Sequence, residues 1–118
     1  MKTKFMASPR FFNADKKGKI KISDCGKIWL DADEQVSFVT KSGREYDVAA
    51  KTWGFYATPS INSRLKKEGF KTALVKNKKG RYYVMIIEDD KLEDFYSYIK
   101  QEESSVEKWL SESRSDND

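Results

Sequence analysis

Residues 53–88, WGFYATPSINSRLKKEGFKTALVKNKKGRYYVMIIE, decide the expected architecture, because the apolar period changes twice within them. Trp53, Phe55 and Tyr56 form an aromatic strand pattern that ends at Thr58-Pro59. That pair is a helix start: the threonine hydroxyl is placed to cap, and proline takes the first helical position, where no N–H is needed. A helix is therefore predicted over Pro59–Glu68, with Ile61 and Leu65 on one face. Lys66 and Lys67 suit the negative end of its dipole, and Gly69 suits a C-terminal cap. Beyond it, Lys71–Lys76 and Arg81–Ile87 read as strands joined by the turn Asn77-Lys78-Lys79-Gly80. The run YYVMII, residues 82–87, is the most apolar in the chain and predicts a strand buried on both faces, central in its sheet.

Working back towards the N-terminus, Val36 and Phe38 alternate before Lys41-Ser42-Gly43, and Tyr46 and Val48 alternate after it. Gln35–Ala50 therefore reads as a hairpin, with Gly43 supplying the positive φ of a tight turn. Upstream, Gly18–Ile22 (GKIKI) has the pattern of a short edge strand, and Ser23–Gly26 reads as a turn into Lys27–Leu30. The first seventeen residues, with Pro9, Phe11-Phe12 and the turn chemistry of Asn13-Ala14-Asp15, are expected to be a partly ordered arm.

Working forward, Asp90 with Glu93 fits a capping pattern, and Leu92, Phe95 and Ile99 fall at helical spacing, so a helix is predicted over Asp90–Gln101. Ser104 to Glu107 repeats the capping pattern before Val106, Trp109 and Leu110, which predicts a second short helix. The fold class expected is α+β. It comprises an antiparallel β-meander, one helix inserted after the third or fourth strand, a following hairpin, and C-terminal helices packed on the sheet. Residues 18–112 are read as one domain and 113–118 as a disordered acidic tail.

The chain has 118 residues, 38% hydrophobic and 36% charged. No apolar run is long enough for a membrane helix or a secretory signal, so no membrane association and a cytoplasmic location are expected. The single cysteine, Cys25, has no internal disulfide partner and reads as a half-buried structural residue. Charge is segregated. Residues 1–30 carry eight Lys or Arg against two acids, a net +6, and residues 64–81 carry eight against one, a net +7. Residues 82–118 carry four against eleven, a net −7. Two basic segments and an acidic end suit a protein that meets a polyanion on one surface.

The chain contains no histidine, which removes the commonest general base and transition-metal ligand. The same absence excludes a Ser-His-Asp or Cys-His site within a single chain, and a single cysteine cannot make a structural zinc site. Neither GxxxxGK[ST] nor GxGxxG occurs. The acids Asp31, Asp33 and Glu34 read as a turn, and Glu88, Asp89 and Asp90 as a helix start. No catalytic residue, cofactor or metal site is assigned. What remains is basic and aromatic interleaving: Trp53, Tyr56, Ser60, Asn62, Arg64, Lys66, Lys67, Lys71, Lys78, Lys79 and Arg81. Aromatic rings stack on bases, cations hold phosphates, and a helix start offers N–H groups to an anion. The leading expectation is a non-enzymatic module that binds nucleic acid or another polyanion. The alternatives are a protein-interaction or inhibitor module, or a homodimer, acting through Phe11-Phe12 and the Trp109-Leu110 helix, and a sugar- or anion-binding accessory protein.

Overall fold

The computed structural model describes residues 1–15, 17–18 and 20–112. The tail expected over 113–118 lies outside them. The described chain is mostly antiparallel strand with two short helices, in the order β1 (Lys2–Asn13), β2 (Lys21–Trp29), β3 (Gln35–Val39), β4 (Glu45–Lys51), β5 (Gly54–Ala57), α1 (Arg64–Glu68), β6 (Phe70–Lys76), β7 (Tyr82–Glu88), α2 (Leu92–Gln101) and β8 (Ser105–Trp109), followed by a 3-10 turn, Leu110–Glu112. The sheets have the orders β1-β2, β3-β4-β5 and β7-β6-β8. The chain divides into two compact units, 1–36 with 48–56 and 37–47 with 57–118.

In the first unit, the expected arm and the expected short hairpin are replaced by one long antiparallel ribbon, β1-β2. Ser23–Gly26 is not a turn. It runs inside β2, opposite an irregularity in which the register shifts between Phe5 and Arg10. Pro9 lies in that irregular stretch, where its missing N–H interrupts no ladder bond. Gly26, with φ of +149°, faces Phe5, and a β-carbon there would stand 2.2 Å from the Lys4 carbonyl oxygen. Close approach, rather than chain reversal, explains this glycine. Beyond the paired residues of the ribbon, Ala14 N–H donates to the Ile20 carbonyl at 2.8 Å. Downstream, Asp33 N–H donates to the Ala50 carbonyl and Ala50 N–H to the Glu34 carbonyl, at 2.8 and 2.9 Å.

The hairpin of β3 and β4 forms as expected, with Gly43 at φ +92° and its N–H donating to the Thr40 carbonyl. Its turn-side end belongs to the second unit. There, the core is Ala73, Val75, Ile87, Phe95 and Ile99, with Met85, Leu92, Val106 and Trp109 packed against it, so α2 covers one face of the β7-β6-β8 sheet. Leu65 of α1 is fully buried, and Phe70 at the start of β6 is buried. Gly69 caps α1 in the left-handed region, φ +97°, as its position predicted.

Four expectations for this unit are corrected. The helix predicted over Pro59–Glu68 is only Arg64–Glu68, because Ser60, not Thr58, organises its start: its Oγ accepts Arg64 N–H and its carbonyl accepts Leu65 N–H, both at 2.9 Å. Asp90 does not cap α2. Its Oδ1 instead accepts from Arg44 Nη1 at 3.0 Å. The second C-terminal helix is strand β8, paired with β6. A register shift between Leu74 and Val75 puts Val106 opposite Val75 and Trp109 opposite Ala73, so two residues three apart share a face as they would on a helix. Finally, β7 is an edge strand and β6 is central. Its apolar run covers two situations: Met85 and Ile87 meet the core, whereas Tyr82 and Val84, which alternate onto the other face, and Tyr83 at the strand's start are exposed.

Candidate polyanion-binding surface

The basic-aromatic residues singled out from sequence do not form one surface within either unit. Trp53 and Tyr56 belong to the first unit and the other nine to the second. Trp53, Phe55 and Tyr56 are all exposed, and the rings of Trp53 and Tyr56 lie 6.0 Å apart, tilted by 30°. In the second unit, Lys66 and Lys67 precede β6 while Lys78, Lys79 and Arg81 follow it, so the seven residues of that strand hold the two groups about 20 Å apart. Several cations are already paired with acids. Arg64 reaches Asp47 at 3.4 Å, Lys71 reaches Glu112 at 3.5 Å, and Lys78 reaches Glu103 at 2.8 Å. The Glu103 hydrogen bond and charge hold the Lys78 pKa above its ordinary value. Lys71 also lies over the Trp109 ring and Lys76 over Tyr82. The expected anion cradle at the helix start has its donors occupied: Ser60 takes the N–H groups of Arg64 and Leu65. Asn62 is half-buried beside it.

A denser cluster lies in the first unit, on the β1-β2 ribbon. Lys2 and Lys4 alternate on β1 and so share a face, opposite Trp29 and Lys27 respectively. The four side chains are exposed and adjacent on one face of the ribbon. Lys2 Nζ stands 5.2 Å from the centre of the Trp29 ring, which retains 44% of its accessible surface. Lys4 and Lys27 are directly opposed, which places their β-carbons about 5 Å apart. Arg10, further along β1, is engaged by Asp24 at 3.1 Å. The sequence contained half of this signal: Lys2/Lys4 and Lys27/Trp29 each show strand spacing. The register that brings the pairs together depends on the irregularity after Phe5, which no local pattern announces.

The acidic clusters have structural employment. Glu34 accepts Asp31 N–H at 2.8 Å, a bond that lowers the Glu34 pKa, and Lys51 pairs with Asp33. Glu88 accepts the hydroxyls of Ser42 and Thr40, and Arg44 lies against Asp89 and Asp90. Among the described residues, no group of three or more acids or cysteines is arranged to hold a metal ion. Cys25 is exposed, not half-buried. Trp109, expected on an interaction helix, packs edge-on to Phe95 at 5.8 Å instead. Among the described residues, no helix is long and apolar enough to cross a membrane. Comparison with protein-family models, with curated proteins and with solved structures returned no match.

Proposed function

We propose that this chain is a non-enzymatic nucleic-acid-binding module that holds phosphates with strand lysines and stacks bases or sugars on exposed rings. The observation that carries this reading is the face formed by Lys2, Lys4, Lys27 and Trp29. Directly opposed like charges destabilise a strand pair, and a two-stranded ribbon has little buried apolar surface to offset that cost. A phosphate chain laid along the ribbon removes the repulsion, and the exposed Trp29 ring beside it supplies a stacking surface. The net +6 of residues 1–30 supports the same reading, and a two-stranded ribbon has dimensions that enter a duplex major groove. The basic segment 64–81 supplies a second, separate set of cations, with Lys66 and Lys67 exposed on α1.

Anisotropy titrations of labelled single-stranded DNA, duplex DNA and RNA at two salt concentrations test this. Lys4→Glu with Lys27→Glu is expected to abolish binding, and Trp29→Ala to weaken it about tenfold or more, the scale of one stacked base. Wild-type affinity is expected to fall steeply with salt. Binding that survives Lys4→Glu/Lys27→Glu but is lost in Lys66→Glu/Lys67→Glu/Lys78→Glu/Lys79→Glu moves the surface to the second unit. No binding at low salt removes the reading.

A further inference from the structure

We infer that two copies of this chain pair edge to edge through β7, antiparallel about a two-fold axis at Met85, joining two β7-β6-β8 sheets into one of six strands. This goes beyond nucleic-acid binding and does not depend on it.

The two edges of the sheet are unlike. The β8 edge is guarded: the strand has five residues, carries Glu107 and Lys108, and is bulged against β6, all features that discourage strand addition. By contrast, β7 has seven residues in unbroken register with β6 and no charge from Tyr82 to Ile87. Tyr82, Tyr83 and Val84 are 53%, 47% and 62% exposed.

The backbone shows which groups face outward. Asp89 N–H donates to the Gly69 carbonyl and Asn77 N–H to the Arg81 carbonyl, so odd-numbered residues flanking β7 point their polar groups at the β6 side. By the alternation of an antiparallel ladder, Tyr82, Val84 and Ile86 present theirs at the free edge and Glu88 its N–H, the Glu88 carbonyl accepting Lys91 N–H at 2.9 Å. Pairing centred on Met85 sets Val84 against Ile86 of the second copy and Tyr82 against Glu88, and satisfies those groups.

Charge selects the second copy as occupant. Arg81 and Lys78, the latter paired with Glu103, stand at the start of β7, while Glu88, Asp89 and Asp90 crowd its end, the last two sharing Arg44. An antiparallel copy brings each pole against its opposite, with Arg81 facing Asp89 of the second copy twice. A parallel arrangement would oppose like poles.

The test is a charge-swap experiment read by sedimentation velocity. Arg81→Glu alone opposes Glu to Asp, and Asp89→Arg alone opposes Arg to Arg. Each is expected to weaken self-association about tenfold or more, since each affects two cross-strand pairs. An equimolar mixture of the two variants is expected to restore the dimer as a heterodimer. Independently, Val84→Pro removes an edge-facing N–H without touching the β6 ladder and is expected to give a monomer that retains its circular dichroism. A wild-type protein that is monomeric at high micromolar concentration overturns the inference. So does a dimer unchanged by Val84→Pro, or a mixture that stays monomeric.

Discussion

Arg44 Nη1 donates to the Gly69 carbonyl at 3.0 Å, and the same guanidinium occupies the space beside the glycine where a β-carbon would lie 3.0 Å from Arg44 Cζ and Nε. One arginine thus ties the β3-β4 turn to the end of α1 while also holding Asp89 and Asp90 at 3.2 and 3.0 Å. Arg44→Met strips a charged donor from a carbonyl and two carboxylates and is expected to cost about 2 kcal/mol or more in denaturant unfolding. Gly69→Ala is expected to cost about 1–2 kcal/mol for its left-handed φ, with an added penalty for displacing Arg44. Because that penalty exists only while Arg44 is present, Gly69→Ala should cost less in the Arg44→Met background, a non-additivity that a double-mutant cycle reads directly. Additive costs would show that the two residues act separately.

Glu88 gives the second unit a dependence on acid. The Ser42 hydroxyl, then that of Thr40, donates to its carboxylate, with Lys91 and Arg44 nearby, and these hold its pKa below the ordinary 4.5 despite opposing desolvation. A carboxylate with a depressed folded pKa stabilises fully above its unfolded value and loses that contribution as pH falls through the folded value. Unfolding free energy should therefore decline below about pH 4.5. Glu88→Gln should flatten that decline, and Ser42→Ala should raise the Glu88 midpoint in a carboxyl-carbon NMR titration. A Glu88 midpoint unmoved by Ser42→Ala would mean that the hydroxyl bond does not form in solution.

What the sequence disclosed and what it hid divide along the line between local and non-local causes. Gly43, Gly69 and Gly80 each serve a local backbone requirement, and the turns or cap they imply are present. Val106 and Trp109 misled because a bulge gave a strand the spacing of a helix. No glycine or proline marked the end of α2, because Glu103 itself takes the left-handed conformation, φ 54°, that commonly signals a helix stop. Ser23–Gly26 looked like a turn because Gly26 was judged by its neighbours in sequence, whereas its cause is Lys4, across the ribbon. The basic residues met the same limit. Lysines contiguous in sequence were separated by the length of β6, and Lys4 and Lys27 were joined by a register that only the folded ribbon defines.

Gly26 also offers a direct test of that ribbon. A β-carbon at this position would stand 2.2 Å from the Lys4 carbonyl oxygen and 2.8 Å from Phe5 Cα, both backbone atoms that no rotamer change moves away. Gly26→Ala is expected to cost on the order of 2–4 kcal/mol locally. The readout is amide exchange: protection of residues 2–5 and 26–29 should drop, and nucleic-acid affinity should fall with it because Lys4 and Lys27 lose their register. Unchanged exchange would mean that β1 and β2 do not pair with Gly26 against Phe5.

Thr72 sits on β6 with 1% of its surface accessible, and among the described residues its hydroxyl has no hydrogen-bond partner. Its backbone demands are those of any strand residue, since it pairs with Ile86 in the regular β6-β7 ladder. The side chain therefore contributes shape and a desolvated hydroxyl without compensation. Valine has the same branching and nearly the same volume without that hydroxyl. Thr72→Val is accordingly expected to stabilise the protein by about 1 kcal/mol, seen as a higher denaturant midpoint at constant slope. A loss of stability would show that the hydroxyl is hydrogen-bonded in solution and that this part of the sheet is wetter than its packing implies.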